Sequence, residues 1–221
     1  MMIQFNSNTL LTFVFLLTSL ACHQLIAHPL TSEKKNDIIL DFAKSIYSEP
    51  KIQKLTSSTI LTVIDFSVKP IHRRLWVIDI ENEEILFHTL VANGVSSSHF
   101  SNKPHSHESS IGVFLTGRTY YGRHGLSLEL NGIDGKFNNN AKRRHLVVHK
   151  AKYATRKFIH IHHTLGRSWG CFAIAPRVSH DIIDTIKNGT ILIAYYPNKE
   201  WLNHSPYISP STPRLSEYPL D

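Results

Sequence analysis

Short apolar runs rich in β-branched residues, separated by polar turns, most restrict how this chain can fold. Seven such runs occur, at residues 60–66, 75–80, 85–91, 113–116, 126–130, 146–149 and 190–196. Runs of this length and composition are typical of β-strands. The second and third runs are joined by Glu81-Asn82-Glu83-Glu84, a connection that predicts a hairpin. The sequence therefore predicts a mainly β domain over residues 59–197, with a few short helices.

Helical spacing of apolar residues occurs in two segments. In residues 36–47 apolar side chains recur three and four positions apart, which predicts a helix within an N-terminal lead-in of residues 28–58. Residues 179–187 predict a second helix, with Ser179 as its N-cap and Gly189 just beyond its end. Its inward face is expected to consist of Ile182, Ile183 and Ile186.

Three segments carry too many polar, Gly or Pro residues to be regular elements. Residues 93–104 and 132–140 are predicted to be long loops, and long ordered loops on a β scaffold often carry binding sites. Four more prolines follow Pro197. Residues 198–221 are therefore predicted to form an irregular C-terminal tail.

The start of the chain has the pattern of an export signal. Residues 9–21 form a mostly apolar run that is too short to span a bilayer comfortably but suits a signal peptide. No charged side chain precedes Glu33. We therefore predict a signal peptide over residues 1–27 and a mature protein in the periplasm or cell envelope. A membrane anchor is expected for the mature protein only if Cys22 is lipidated. The alternative to a signal peptide is an N-terminal helix that is buried or anchors the protein.

Only one of the two cysteines belongs to the predicted mature protein. Cleavage after Ala27 removes Cys22 and leaves Cys171 without a partner for an internal disulfide. An unpaired thiol in an oxidising compartment is usually a liability. A reactive role for Cys171 would account for its presence, and the alternative is a small buried apolar residue.

The segment Gly166-Arg167-Ser168-Trp169-Gly170-Cys171 has the composition of a tight turn that exposes a nucleophile. Glycines permit a close backbone path, and backbone N–H groups beside a cysteine can receive an oxyanion. Arg167 is expected to lower the thiol pKa and to hold a substrate carboxylate. Upstream, the apolar run at residues 146–149 ends at His149, which suits the base that a thiol requires.

Several blocks resemble the L,D-transpeptidase catalytic-domain family (YkuD-like), in particular its Gram-negative murein L,D-transpeptidase branch. The blocks are residues 75–79, 100–104, 109–114, 119–125, 147–149 and 166–171, in this order along the chain. The resemblance implies a β-sandwich-like domain with an active-site groove, Cys171 as nucleophile and His149 as base. It also implies that the Lys150 carbonyl orients the histidine ring. The N–H groups of Gly170 and Cys171 are the implied oxyanion donors.

The reaction implied by the resemblance is acyl transfer on peptidoglycan stem peptides, without a metal or another cofactor. The thiolate attacks the carbonyl of the third residue of a tetrapeptide stem and expels the terminal D-Ala, and an amine or water then resolves the thioester. Carbapenems are expected to acylate the same thiol. We assign substrate contacts to Arg167, Ser168, Trp169, Tyr120, Tyr121 and His124. Further candidates for binding carboxylates are Lys103, Arg123, Arg143 and Arg144.

Four positions depart from the family pattern. Trp169 stands where the broader family has a histidine before the Gly-Cys pair, and Phe172 stands where this branch often has a proline. Asn93 replaces a histidine, and Lys150 replaces a glycine after the base. None of these changes removes the Cys/His pair, but all bear on substrate preference and on the level of activity.

Other functions remain open at this point. A sortase also has its histidine before its cysteine, with an arginine soon after that Arg177 would supply, but the usual Thr-Leu-x-Thr-Cys strand is missing. A papain-like hydrolase has the reverse order. A zinc site would use His160 and His162 on one strand face, without an acidic third ligand nearby. A peptidoglycan-binding module without catalysis is the non-enzymatic alternative.

The charge of the chain fits an acidic partner. Lys and Arg number 24 against 17 Asp and Glu, a net charge of +7 with neutral histidines. Such a surface suits an acidic polymer or peptides that carry carboxylates. No zinc-finger, helix-turn-helix or RNA-binding signature occurs in the sequence, so nucleic acid is not the expected partner.

Overall fold

The computed structural model describes residues 31–96 and 98–218. The predicted signal peptide, its cleavage sites and Cys22 lie outside the described residues. Within those residues, none of the helices has the length and apolar character needed to cross a membrane.

The described part of the chain contains five α-helices, nine strands and two short 3-10 helices, at Gly135–Phe137 and Leu215–Glu217. The helices are α1 (Ser32–Tyr47), α2 (Pro50–Gln53), α3 (Arg156–His162), α4 (Pro176–Ile186) and α5 (Lys199–His204). The strands are β1 (Ile60–Asp65), β2 (Leu75–Asp79), β3 (Glu84–Thr89), β4 (Val91–Ala92), β5 (Gly112–Gly122), β6 (Gly125–Gly132), β7 (Val147–Lys150), β8 (Phe172–Ile174) and β9 (Ile191–Tyr195). The predicted run at residues 85–91 divides into β3 and β4, and β8 was not predicted.

The nine described strands form one sheet, in the order β3-β2-β1-β9-β5-β6-β7-β8-β4. Most neighbours are antiparallel, whereas β1 with β9 and β7 with β8 are parallel. β3 and β4 are the two ends of this order, yet only Leu90 separates them along the chain. Since one residue spans at most about 3.6 Å, the sheet must curve until its two edges nearly meet. The prediction of a mainly β fold with short helices is confirmed.

The curved sheet buries a core on each of its faces. One core joins Val63, Trp76 and Ile193 to side chains of α1, α2 and α5, and the other joins Ile64, Val77 and Leu192 to α4. Successive residues of β1, such as Val63 and Ile64, therefore enter different cores. This is why the strands appear in the sequence as continuous apolar runs rather than alternating ones.

Helix α1 is part of the domain core. Its first turn is capped by Thr31, whose Oγ1 accepts a hydrogen bond from the Lys34 backbone N–H at 3.3 Å. Ile39, Phe42 and Ile46 are fully buried, at the three- and four-residue spacing that the sequence predicted. Burial of each such side chain contributes about 1.5–3 kcal/mol to stability.

Helix α4 begins earlier than the sequence predicted. It starts at Pro176, whose fixed φ angle suits the first helical turn, and Ala175 is its N-cap. Ser179 therefore lies inside the helix, where its hydroxyl donates to the Pro176 carbonyl at 3.0 Å, and its prediction as N-cap is wrong. The predicted inward residues Ile182, Ile183 and Ile186 are fully buried.

The C-terminal segment is not an irregular tail, and this prediction is wrong for α5. Trp201 of α5 is fully buried, and its indole N–H donates to the Asp134 carboxylate at 2.6 Å. The Ser205 hydroxyl donates to the same carboxylate oxygen at 2.9 Å. The prolines of this segment separate short packed pieces, because apolar anchors such as Trp201 and Leu215 hold those pieces on the core.

Candidate active site

A cavity of about 710 Å³ opens where β7 and β8 lie side by side. Its walls come from the loop before β5, the β5–β6 hairpin, the segment before β7 and the loop before β8. The lining residues include Cys171, His149, His124, Tyr120, Arg167, Ser168 and Trp169, which the sequence had selected from separate blocks. Tyr121 and Lys103 do not line the cavity.

Cys171 and His149 line the same cavity because β7 and β8 are parallel neighbours. His149 on β7 is paired with Ala173 on β8, and Cys171 precedes Ala173 by two residues. Paired residues, and residues two apart on a strand, project from the same face of a sheet. The thiol and the imidazole therefore lie on one face, and both line the cavity.

The ring of His149 is buried and held in one orientation. Its Nδ1 lies 2.9 Å from the Lys150 carbonyl oxygen, which can only accept a hydrogen bond, so that Nδ1 carries the proton. The predicted bond to Lys150 is thus present, while its catalytic role stays a prediction. Nε2 is left as an acceptor. Burial lowers the pKa of His149, the Lys150 bond opposes this effect, and the charge of His124 adds to it.

His124 covers the His149 ring from the cavity side. The two ring centroids are 4.3 Å apart with an interplanar angle of 21°, which is a stacked arrangement. His124 lies in the turn between β5 and β6, and Gly125 after it adopts φ +78°. A side chain at Gly125 would meet Lys150 Cε at 2.8 Å, so the turn packs closely against β7.

The Cys171 thiol is partly buried beside a bend in the chain. Its Sγ lies 3.5 Å from the carbonyl oxygen of His145, a residue with φ +55°. Burial raises the pKa of Cys171, whereas a hydrogen bond from the Val147 backbone and the charges of Arg144 and Arg123 lower it. The cations that favour the thiolate are thus Arg144 and Arg123, whereas the sequence suggested Arg167.

Arg167 links two loops of the cavity wall. Its guanidinium donates to the Val95 carbonyl at 2.6 Å and so ties the loop before β8 to the loop after β4. The charges that lower the pKa of Cys171 are those of Arg144 and Arg123, so the effect of Arg167 on that pKa stays a prediction. Its position in the cavity wall still permits substrate contact.

Arg144 fixes the loop that precedes β5. Its two terminal nitrogens donate to the carbonyls of Ser101 and Glu108 and to the hydroxyls of Ser106 and Ser110. Burial lowers the pKa of Arg144, and the nearby charges of Cys171 and Glu108 oppose that shift. The residue was proposed as a carboxylate ligand, but its donors are already engaged in holding this loop.

Ser168 is a buried residue that shapes the turn around the cysteine. Its hydroxyl donates to the Cys171 carbonyl at 2.6 Å and accepts the Gly170 N–H at 3.2 Å. Gly170 adopts φ +110°, and its carbonyl accepts from the Ser109 hydroxyl at 2.8 Å. Ser168 therefore positions the loop, and because it also lines the cavity, its substrate contact stays a prediction.

The predicted oxyanion donor Gly170 is unavailable in this conformation, because its N–H is bonded to Ser168. Hydrogen bonds from the backbone of Val147 and of Cys171 lower the pKa of the thiol, which makes these two N–H groups the candidates for oxyanion donors. Cys171 was predicted as a donor. Val147 was missed, because only the approach of β7 to the cysteine turn makes its N–H available.

The aromatic residues assigned to substrate contact are placed differently from one another. Trp169 is 69% exposed and stacks on His107, with ring centroids 4.5 Å apart and an interplanar angle of 8°. Tyr120 also lines the cavity. Tyr121 is 82% exposed and points away from the cavity, because successive residues of a strand alternate between its faces. Tyr121 therefore does not line this cavity, and its substrate contact stays a prediction.

Asn93, one of the departures from the family pattern, links the cavity loops to the core. Its side chain accepts from Arg74 at 2.8 Å and donates to the Ser96 carbonyl at 2.6 Å. Its backbone carbonyl accepts the Ser168 N–H at 2.8 Å. Arg74 is fully buried, and its burial lowers its pKa to about 9. An amide suits this site because it satisfies a donor and an acceptor at once.

The alternative zinc site lacks its expected geometry. His160 and His162 lie on α3 instead of a strand. Residues two positions apart project from different sides of a helix, so the two rings do not share a face. Among the described residues, no group of three or more His, Cys, Asp or Glu side chains is placed to hold a metal ion. Arg177, the arginine of the sortase interpretation, is on α4 and does not line the cavity.

A family profile for the L,D-transpeptidase catalytic domain matches residues 21–195 of this chain. The match extends through all nine strands to the end of β9 and includes the cysteine turn. A search of curated protein sequences finds no match.

Three solved structures illustrate the similarity. An L,D-transpeptidase from Mycobacterium smegmatis is 14% identical at a TM-score of 0.41, with 63% of this chain and 59% of that chain covered. An L,D-transpeptidase (Yku) from Stackebrandtia nassauensis is 15% identical at a TM-score of 0.40, with 73% of this chain and 68% of that chain covered. The helical cell shape determining protein Pgp2 from Campylobacter jejuni is 12% identical at a TM-score of 0.43, with 79% of this chain and 61% of that chain covered. The chain thus spans about three fifths to two thirds of the length of these proteins.

Proposed function

The chain belongs to the L,D-transpeptidase catalytic domain family, and we propose that it is a cysteine acyltransferase acting on peptidoglycan stem peptides. Cys171 is the nucleophile and His149 is the general base. The donor is a tetrapeptide stem, which is cleaved before its terminal D-Ala. The acceptor is an amine of another stem, and with water as acceptor the same site is an L,D-carboxypeptidase.

One observation carries the proposal. His149 on β7 and Cys171, which immediately precedes β8, line the same cavity, and the Nδ1 proton of His149 is bonded to the Lys150 carbonyl. That bond leaves the lone pair of Nε2 free to accept a proton. A thiol needs such a base here, because burial raises its pKa and keeps it protonated at neutral pH.

The first half-reaction forms a thioester. Before the reaction, the thiol donates to the His145 carbonyl. Its proton then moves to Nε2 of His149, and the thiolate adds to the substrate carbonyl. The N–H groups of Val147 and Cys171 stabilise the oxyanion. When the tetrahedral intermediate collapses, the C–N bond breaks and the histidine returns its proton to the amine of the departing D-Ala.

The second half-reaction reverses these roles. The acceptor amine, or water, adds to the thioester carbonyl while His149 takes its proton. The C–S bond then breaks, and the histidine returns the proton to the sulfur. No net proton or electron is consumed, so the cycle needs no cofactor.

A binding module without catalysis is the second candidate, because two groups that catalysis would use are hydrogen-bonded within the protein. The thiol is bonded to the His145 carbonyl, and the N–H of Gly170 is bonded to Ser168. A rotation of the cysteine side chain would break the bond to the His145 carbonyl and make the thiol available as a nucleophile. The two candidates differ in thiol reactivity and in turnover.

The test is incubation of the purified mature protein with tetrapeptide muropeptides, followed by mass spectrometry of the products. The enzyme should release D-Ala and form cross-linked dimers or tripeptides. Cys171→Ala should abolish both products, and His149→Ala should lose nearly as much, because the two residues act as one unit. Binding of the peptides without any product from the wild type would favour the binding module.

We also propose that the protein acts in the periplasm or cell envelope. The proposal rests on the apolar, uncharged segment at the start of the chain and on the location of peptidoglycan. Cell fractionation should recover a shortened protein from the envelope or periplasm. Recovery of the full-length protein from the cytosol would overturn it.

A further inference from the structure

Arginine and histidine side chains dominate the lining of the cavity around Cys171. Four arginines and five histidines line it, and among the described residues none of the lining residues is Asp or Glu. The arginines are Arg123, Arg143, Arg144 and Arg167, and the histidines are His105, His107, His124, His145 and His149. A cleft lined by one sign of charge concentrates ligands of the opposite sign.

Two of the four arginines are engaged by the protein itself. Arg144 holds the loop before β5 through four hydrogen bonds and is close enough to Glu108 to feel its charge. Arg167 donates to the Val95 carbonyl. Arg144 cannot turn toward a ligand without breaking its four bonds, and Arg167 is tethered through one of its nitrogens.

The other two arginines are available to a ligand. Arg123 and Arg143 are exposed on the cavity wall, and neither makes a hydrogen bond or an ion pair with another described residue. Arg123 lies close enough to Cys171 for its charge to act on the thiol. Arg143 is on the segment before β7, next to the loop anchor Arg144. The two guanidiniums thus belong to different walls, the β5–β6 turn and the segment before β7.

We propose that this cavity selects stem peptides whose carboxyl groups are free acids over stems in which those groups are amides. Arg123 and Arg143 are the specificity-determining residues, and this inference rests on the proposed function. A planar guanidinium pairs two N–H donors with the two oxygens of a carboxylate. An amide offers one acceptor and adds N–H groups that would face these cations. An amidated stem also leaves the charge of the cavity uncompensated.

The test compares two tetrapeptides that differ only in whether their side-chain carboxyl groups are acids or amides. For the wild type, kcat/KM for release of D-Ala should be at least about tenfold higher for the acid, the effect of losing one charge-assisted hydrogen bond. Arg123→Gln and Arg143→Gln should each reduce this ratio. Arg156→Gln is the matched control, because Arg156 is exposed at the start of α3 outside the cavity, and it should keep the ratio.

Binding to Cys171→Ala, measured by calorimetry, separates this inference from the proposed function. The acid peptide should bind more tightly than the amide, and rising salt should weaken binding of the acid more than that of the amide. Equal affinity of the two peptides overturns the inference, whether or not the wild type turns them over. Tighter binding of the acid without any turnover by the wild type supports the inference and overturns the proposed function.

Discussion

His124 stacks on His149, with ring centroids 4.3 Å apart, while the Lys150 carbonyl fixes Nδ1 of the same ring at 2.9 Å. The ring is therefore held on one face and at one nitrogen, and Nε2 stays available. The stack also places a second titratable group against the proposed base. Burial and the charge of His124 together lower the pKa of His149.

This relationship predicts the pH dependence of activity. A base with a lowered pKa stays neutral at lower pH, so the acid limb of kcat/KM should lie below the ordinary histidine value of about 6.5. His124→Phe keeps a stacking ring but removes its charge, and the limb should move to higher pH. His124→Ala also loses the stack and should reduce the rate at all pH values. Identical profiles for the wild type and His124→Phe would contradict this role.

The same lowered pKa affects folding. Because the unfolded chain binds a proton at His149 more readily than the folded protein does, stability rises with pH across this titration. The contribution of His149 to the free energy of unfolding is fully present above about 6.5 and is lost as pH falls toward the folded pKa. Urea denaturation of wild type and His149→Phe at several pH values measures it, and the variant should show the smaller dependence.

Carbapenem acylation should report the ionisation of Cys171. The rate, followed by whole-protein mass spectrometry, should rise with pH through the thiol pKa and then level off, because the thiolate attacks the strained lactam carbonyl. The charge of Arg123 lowers that pKa, so Arg123→Gln should move the midpoint to higher pH. Arg167→Gln should leave the midpoint in place. A larger shift in Arg167→Gln would restore the role that the sequence suggested for this residue.

The hydroxyl of Ser168 should contribute to both stability and activity. Ser168→Ala removes a donor to the Cys171 carbonyl and an acceptor for the Gly170 N–H, which should cost about 1–3 kcal/mol of stability. The loosened turn should also lower kcat. Ser179→Ala is the control, because it removes a buried hydroxyl from α4 outside the cavity. If Ser168→Ala keeps full kcat at a normal melting temperature, the turn does not depend on this hydroxyl.

Trp201 should stabilise the domain through the carboxylate of Asp134. Burial raises the pKa of Asp134, and the Trp201 hydrogen bond opposes that rise by favouring the ionised form. Trp201→Phe should therefore cost about 1–3 kcal/mol when Asp134 is ionised, and less as the pH falls and the carboxyl takes up a proton. Urea denaturation at neutral and acidic pH measures the difference. A loss that does not change with pH would assign the effect to packing alone.

The strands and the cysteine turn could be predicted from the sequence because each depends on local composition. The runs at β1 and β9 are mostly apolar and rich in β-branched residues, and both faces of these strands are buried. β8 was missed because Phe172–Ile174 is only three residues long and depends on pairing with β7 and β4. The tail was misjudged because its prolines are local signals, whereas the burial of Trp201 depends on the distant Asp134.

Within the site, residue types were predictable but their partners were not. Arg167 is adjacent to the cysteine in sequence, yet its guanidinium is bonded to Val95, 72 residues away. Arg144 and Arg123 reach the thiol from other elements. The N–H of Val147 is likewise brought to the sulfur only by the fold. Sequence proximity was therefore a poor guide to the groups that act on the thiol.

The central claim is that Cys171 forms a thioester with a stem peptide. The most direct measurement is intact-protein mass spectrometry after brief mixing with a tetrapeptide stem and an acid quench. The wild type should gain the mass of the peptide less that of D-Ala, and peptide mapping should place the adduct on Cys171. Cys171→Ala should gain nothing and release no D-Ala. Release of D-Ala by Cys171→Ala, or an adduct on any other residue, would contradict the claim.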